Sequence, residues 1–160
     1  MVKPVSPEPS DQPSAAVVVA ALEASRGSLM KSIAGLDEAA FRARPAAGRS
    51  PAEVLAHLLV TEEEALALAR ADPAPADSDD EGRLAQRTVV PQIIHGLLAR
   101  RRESARLLDE GSPNELGRRL EHPRWGALSV AGLFQRLAAH ESEHAGELAA
   151  SREQKTAPAL

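Results

Sequence analysis

The sequence contains no cysteine and no tyrosine, and its other aromatic residues are two phenylalanines and one tryptophan. Without cysteine there is no disulfide framework, no thiolate metal ligand and no cysteine nucleophile, so any sulfur chemistry must draw its sulfur from another molecule. Long apolar runs are missing as well. The stretch 15–22 falls far short of the roughly 20 residues that cross a bilayer. Residues 1–13 carry Pro4, Pro7, Pro9 and Pro13 and no apolar segment behind a basic start, so no secretory signal is read and a cytoplasmic protein is expected. Nor is there a basic stripe. Nineteen Lys and Arg against 23 Asp and Glu give a net charge of −4, which makes nucleic acid a poor partner.

With so few aromatics, the core of this 160-residue chain must be built from Leu, Ala, Val and Ile. Strands favour β-branched and aromatic residues, and no period-two stretch of useful length is present, so the chain reads as one all-α domain. Four amphipathic helices are expected. The first starts at the N-cap Ser14 and runs to about residue 35, with Val18, Leu22, Leu29, Ile33 and Leu36 as its stripe. The second opens on Ser50-Pro51-Ala52-Glu53, a capping serine, a proline at the first helical position and a glutamate closing the capping box, and it ends before Pro73. Residues 72–81 hold five acids, no base and two prolines, which reads as a long solvated connection. The third helix covers about 88–110, with Pro91 in its first turn and Gly111 as its stop. The fourth runs from Val130 to about 150. Residues 1–13 read as a disordered N-terminal tail, 14–150 as the bundle and 151–160 as a flexible C-terminal tail. One long middle connection suggests that helices two and three run parallel.

Three histidines fall where one ion could gather them. His140 and His144, four residues apart, stand about 40° apart around the helix and about 6 Å along it. Both lie at the edge of the stripe of Val130, Leu133, Leu137 and Leu148. Taken alone, such a pair is more often two partly exposed histidines than two ligands. His57 lies at the border of the second helix's stripe, and from a facing helix it would complete a three-nitrogen site with open coordination positions, as a catalytic metal requires. Imidazole-only ligation suits zinc, nickel, copper or iron. His95 reads as a surface or boundary residue; His122, in the connection preceding helix four, reads as solvent-exposed, with overhanging the site as the alternative.

Three charges fall among apolar residues: Glu62 inside helix two's stripe, Arg101 among Ile94, Leu97, Leu98 and Ala105, and Glu141 in the middle of helix four's. Long side chains near a bundle end can escape to water, which is one reading of one or two of these charges. An arginine held inward must find a carboxylate, because an unpaired buried charge is severely destabilising. Arg101 is therefore expected to pair with Glu141 or Glu62. These three residues are candidates for lining the pocket, with Arg101 as an anchor for an acidic ligand.

The segment Arg44-Pro45, Ser50-Pro51-Ala52-Glu53-Val54-Leu55-Ala56-His57-Leu58 and then Glu62 resembles the second-helix signature of the DinB superfamily, "RP…WS…EVLxHLxxxE". His122-Pro123-Arg124-Trp125-Gly126, Ser129-Val130, Leu133, Leu137, His140-Glu141 and His144 resemble its "HPxxGxxSLxxLLxxLAxHDxxH". Similarity runs from about residue 14 to 150. Two positions depart: Arg49 stands where the family usually has tryptophan, and Glu141 replaces a commoner aspartate. The resemblance implies a four-helix bundle in up-down-down-up order, a metal held by His57, His140 and His144, and often a homodimer. It implies a divalent metal cofactor (zinc, nickel, iron or manganese) and, with it, a low-molecular-weight thiol such as bacillithiol, glutathione or mycothiol. The expected function is transfer of such a thiol to a small-molecule electrophile in detoxification or stress response. The alternatives are a metal-dependent hydrolase and a non-catalytic binding module.

Overall fold

The computed structural model describes residues 12–72 and 80–156. Most of the expected N-terminal tail and of the acidic stretch 72–81 lies outside the described residues. Four long helices form the bundle: α1 (Ala15–Ile33), α3 (Pro51–Arg70), α5 (Val90–Glu110) and α7 (Val130–Thr156). Shorter elements fill the connections: α2 (Glu38–Arg42), α4 (Asp80–Arg87), α6 (Pro113–Gly117) and an antiparallel hairpin of β1 (Arg119–His122) and β2 (Gly126–Ser129). Among the described residues no helix is long and apolar enough to cross a membrane.

The helix starts follow the local chemistry. Ser14 accepts a bond from the Val17 N–H, and at α3 the reciprocal capping box of Ser50 and Glu53 is complete. The same signature, Ser112-Pro113 with Glu115, opens α6 between the third and fourth long helices. Asp37 likewise caps the unexpected α2. The hairpin is also new. Its strands have four residues each, too short to show alternation, and Gly126 closes the turn at φ +73°, a conformation that glycine adopts without strain. At the other end α7 continues past the expected stop near 150 to Thr156, and the Arg152 guanidinium donates to the carbonyls of Ser32 and Ala34 on the α1 side.

Contacts between α3 and α5 ascend together along both helices: Leu59 lies against Gly96, Glu63 pairs with Arg100, and Arg70 pairs with Glu103. The two helices therefore run parallel. Along α1 and α3 the order is reversed. Leu29 and Ile33 share one apolar cluster with Ala52, Val54 and Leu55, while Val18 and Leu22 share the other with Ala65 and Leu66.

A charged layer separates those two clusters, and each long helix contributes one residue to it: Arg26, Glu62, Arg101 and Glu141. On every helix the charge stands between apolar neighbours, as Arg26 does between Leu22 and Leu29 and Glu141 between Leu137 and Ala145. Glu141 receives Arg26 at 2.7 Å and Arg101 at 3.1 Å; Glu62 receives Arg26 at 2.9 Å and Arg101 at 2.9 Å. Ser25 and Ser104 donate to Glu141 and Glu62, both at 2.9 Å. Two guanidinium groups against two carboxylates leave the layer neutral, the condition under which buried charge is tolerated.

Candidate metal centre

The capping box fixes where α3 begins and hence which way His57 points, two turns in. Ser50 Oγ accepts from the Glu53 N–H at 3.2 Å, and the Glu53 carboxylate accepts from the Ser50 N–H at 2.7 Å. The Arg44 guanidinium, bonded to the same carboxylate, is the main reason Glu53 is lowered to about 2. His57 is buried at 4% exposure, deeper than the boundary position expected for it. His140 and His144 come from successive turns of α7 and are partly buried.

The three imidazoles converge. Their ring centroids are 5.2 Å (His57 to His140), 5.2 Å (His57 to His144) and 4.6 Å (His140 to His144) apart. Each offers one nitrogen to a cluster in which all ligand atoms lie within 4.8 Å of one another. Among the described residues these are the only three His, Cys, Asp or Glu side chains so grouped.

Carboxylates stand behind two of the rings. His57 Nδ1 lies 2.9 Å from Glu81 Oε1, and His144 Nδ1 lies 2.9 Å from Glu147 Oε2. A carboxylate accepts and does not donate, so in the neutral ring each Nδ1 carries the proton and leaves Nε2 free to ligate. His57 Nε2 faces His140 Nε2 at 3.0 Å. In the metal-free protein His140 must then donate the single proton between them. Two nitrogens at that separation can also both sit about 2.1 Å from one ion, at an included angle of roughly 90°. The donor set fits a divalent metal: three imidazole nitrogens, carboxylates behind two of the rings and no thiolate.

Electrostatics favours the neutral rings that ligation needs. Burial lowers His57 below the ordinary histidine value, against the opposing pull of Glu81. Burial, then the other two histidines, then Arg124 and Arg136, hold His140 down to about 4. The hairpin supplies the remaining wall. Trp125 meets His140 edge-on at 5.6 Å, and Arg136 lies 5.9 Å from the centroid of the Trp125 ring.

Two sequence expectations change here. His122 is buried, not exposed: it stacks on Trp125 at 4.2 Å and accepts the backbone N–H groups of Arg124 and Trp125 at Nδ1. His95 is exposed, as read. Arg101 is paired with both Glu62 and Glu141, but it cannot anchor a ligand. Its Nε and Nη2 go to the two glutamates, and its Nη1 goes to the Leu22 carbonyl at 2.6 Å and to Ser25 Oγ at 3.5 Å. Arg101, Glu62 and Glu141 are thus buried in the charged layer, their polar atoms satisfied by one another and by Arg26, Ser25, Ser104 and the Leu22 carbonyl. Arg26 is the fourth charge of the layer, and its signal in the sequence is its place in helix one's stripe, four residues after Leu22 and three before Leu29. Glu81 had no signal, since its role depends on α4.

Comparisons with known proteins agree with this picture. The sequence profile of the DinB superfamily matches residues 12–148. A crystallised four-helix bundle protein, TT2238, is 22% identical with a TM-score of 0.64, over 84% of this chain and 97% of that one. A protein from Streptococcus pneumoniae is 14% identical with a TM-score of 0.69, over 91% of this chain and 93% of that one. At these identities the likeness shows the fold. No curated protein matches the sequence.

Proposed function

The chain belongs to the DinB superfamily, and from that premise we propose that His57, His140 and His144 hold one divalent metal ion at which a low-molecular-weight thiol is joined to a small electrophile. The observation that carries the reading is the convergence of three imidazole nitrogens within 4.8 Å, two of them backed by carboxylates. A divalent ion so held would lower the pKa of an incoming thiol or water and keep open positions for it. Three neutral ligands leave the ion's charge uncompensated, which favours an anionic ligand. The missing cysteine means the thiol comes from outside the chain.

The protein's own residues bind and shield. With Arg101 engaged, cations on the His140 side that could meet a ligand's carboxylate include Arg124, which is exposed, and Arg136 beside Trp125. Both act electrostatically on His140. Trp125 covers one side of His140 and limits water there. The reading includes a homodimer and no nucleic-acid or membrane partner.

The test is turnover of a chromogenic aryl chloride by zinc- or nickel-loaded protein, with and without bacillithiol, mycothiol, glutathione or coenzyme A. One thiol should raise the rate well above that of His144→Ala. If none does while an ester is hydrolysed, the transferase reading fails in favour of metal-assisted hydrolysis. If neither substrate turns over, a binding module is the better account.

A further inference from the structure

Glu81 sits in the first turn of α4, the helix carried by the connection between α3 and α5. This helix is not a loose excursion. Ala85 is 3% exposed, Leu84 packs against the apolar cluster of Leu55, Leu58 and Val90, and the Arg42 guanidinium donates to the Ala85 and Thr88 carbonyls. Anchored this way, α4 lays the Glu81 side chain, 28% exposed, against the buried His57. One carboxylate oxygen is 2.9 Å from His57 Nδ1; the other is 3.8 Å from the Arg49 guanidinium, just ahead of α3.

We propose that Glu81 is the positioning residue of the metal centre: accepting the Nδ1–H of His57, it fixes that ring's tautomer and orientation so that Nε2 faces the ion, with Arg49 steadying the carboxylate. The proposal rests on the reading of His57 as a ligand. It makes the middle connection, and not only the long helices, part of the site. An acceptor behind a ligating imidazole raises the ring's basicity and removes its freedom to flip, and losing such a partner typically weakens metal binding about 10–100-fold. His57 needs this more than its neighbours do. It is the ligand contributed by α3, and its 3.0 Å approach to His140 is productive only if one of the two nitrogens is bare.

The experiment measures zinc affinity by chelator competition at about pH 8, above the ordinary histidine range, for full-length wild type, Glu81→Ala, Glu81→Gln and Glu81→Asp. Each metal-free protein is also examined by nitrogen-15 NMR for the His57 tautomer and by thermal melting. Wild-type His57 should carry its proton on Nδ1. Glu81→Ala should lose that preference and bind zinc at least tenfold more weakly, with an unchanged metal-free melting temperature. Glu81→Gln, which keeps an acceptor oxygen without its charge, should fall between, and Glu81→Asp should recover part of the loss. Zinc affinity in Glu81→Ala within twofold of wild type overturns the proposal, as does a wild-type His57 protonated on Nε2. A wild type that binds no zinc while keeping the Nδ1–H tautomer overturns the reading of the three histidines instead, so the two failures are distinct.

Discussion

Replacing Glu141 with glutamine tests whether the charged layer is held by neutrality. The side chain keeps its shape and loses its charge, so two buried guanidinium groups would face the single carboxylate of Glu62. In the native layer Glu141 Oε2 accepts from Arg26 Nε, Arg26 Nη2 and Arg101 Nη2, while Oε1 accepts from Ser25 Oγ and Arg26 Nε. With the glutamine NH2 in the Oε2 position, Arg26 Nη2 and Arg101 Nη2 each keep only Glu62 Oε2; in the Oε1 position, Ser25 Oγ keeps only the Leu22 carbonyl and Arg26 Nε keeps only the remaining oxygen. Arg26 Nη1 already lacks a partner among the described atoms, so the site has no slack. Breaking a buried pair from one side costs about 3–5 kcal/mol. Against a total stability of about 5–15 kcal/mol, that is a large share. With a urea m-value of about 2 kcal/mol/M it lowers the midpoint by roughly 1.5–2.5 M. Equilibrium urea unfolding followed by circular dichroism reads this directly. Adding Arg26→Met restores neutrality, and part of the loss should return as a coupling energy between the two sites. Removing Glu110 from its exposed pair with Arg106 should change nothing measurable. A loss below about 1 kcal/mol in Glu141→Gln, against the 3–5 kcal/mol expected for a broken buried pair, would refute this account of the layer.

Two further outcomes follow from the same geometry. Ser50→Ala removes the cap of α3 and should cost about 1 kcal/mol in urea unfolding, with a weaker capping effect on the orientation of His57. The third concerns pH. His140, with a folded pKa of about 4 against about 6.5 unfolded, takes up its proton in the unfolded chain first, so metal-free stability falls as pH drops from about 6.5 toward 4 and levels off below. His57 is shifted in the same direction and adds to the loss. Thermal melts between pH 8 and 4 check this, and the dependence should shrink in His57→Ala/His140→Ala, leaving the part contributed by His122, which burial also lowers. For the same reason proton competition with the metal should set in below the ordinary histidine value, not at it.

Much of the bundle could be read from the sequence because its signals are local. Ser14, the Ser50-Pro51-Glu53 box and Pro91 placed three long helices to within a few residues, and the spacing of His140 and His144 required nothing beyond helical geometry. His57 could be added because its neighbours matched a known pattern. The rest depended on partners distant in sequence or on elements too short to show periodicity. The buried face of α5 is rotated from the expected stripe: it carries Ile93, Leu97, Arg101, Ser104 and Leu108, whereas Leu98 is 38% exposed. Glu62, Arg101 and Glu141 were each recognised as inward charges, but a pairwise argument could not show that Arg26 completes a four-member layer and uses up every donor on Arg101. His122 was judged by its place in a connection, and the hairpin that buries it has strands of four residues. Glu81 acts through α4, an eight-residue helix in a stretch whose acids and prolines argued for open chain.

The most direct measurement is metal content per chain of purified protein, by inductively coupled plasma mass spectrometry after zinc loading and exhaustive dialysis. Wild type should retain close to one zinc per chain, and His57→Ala/His140→Ala should retain almost none while keeping its helical circular dichroism. A wild type that emerges empty, or a double variant as fully loaded as the parent, would contradict the assignment of His57, His140 and His144 as the metal centre.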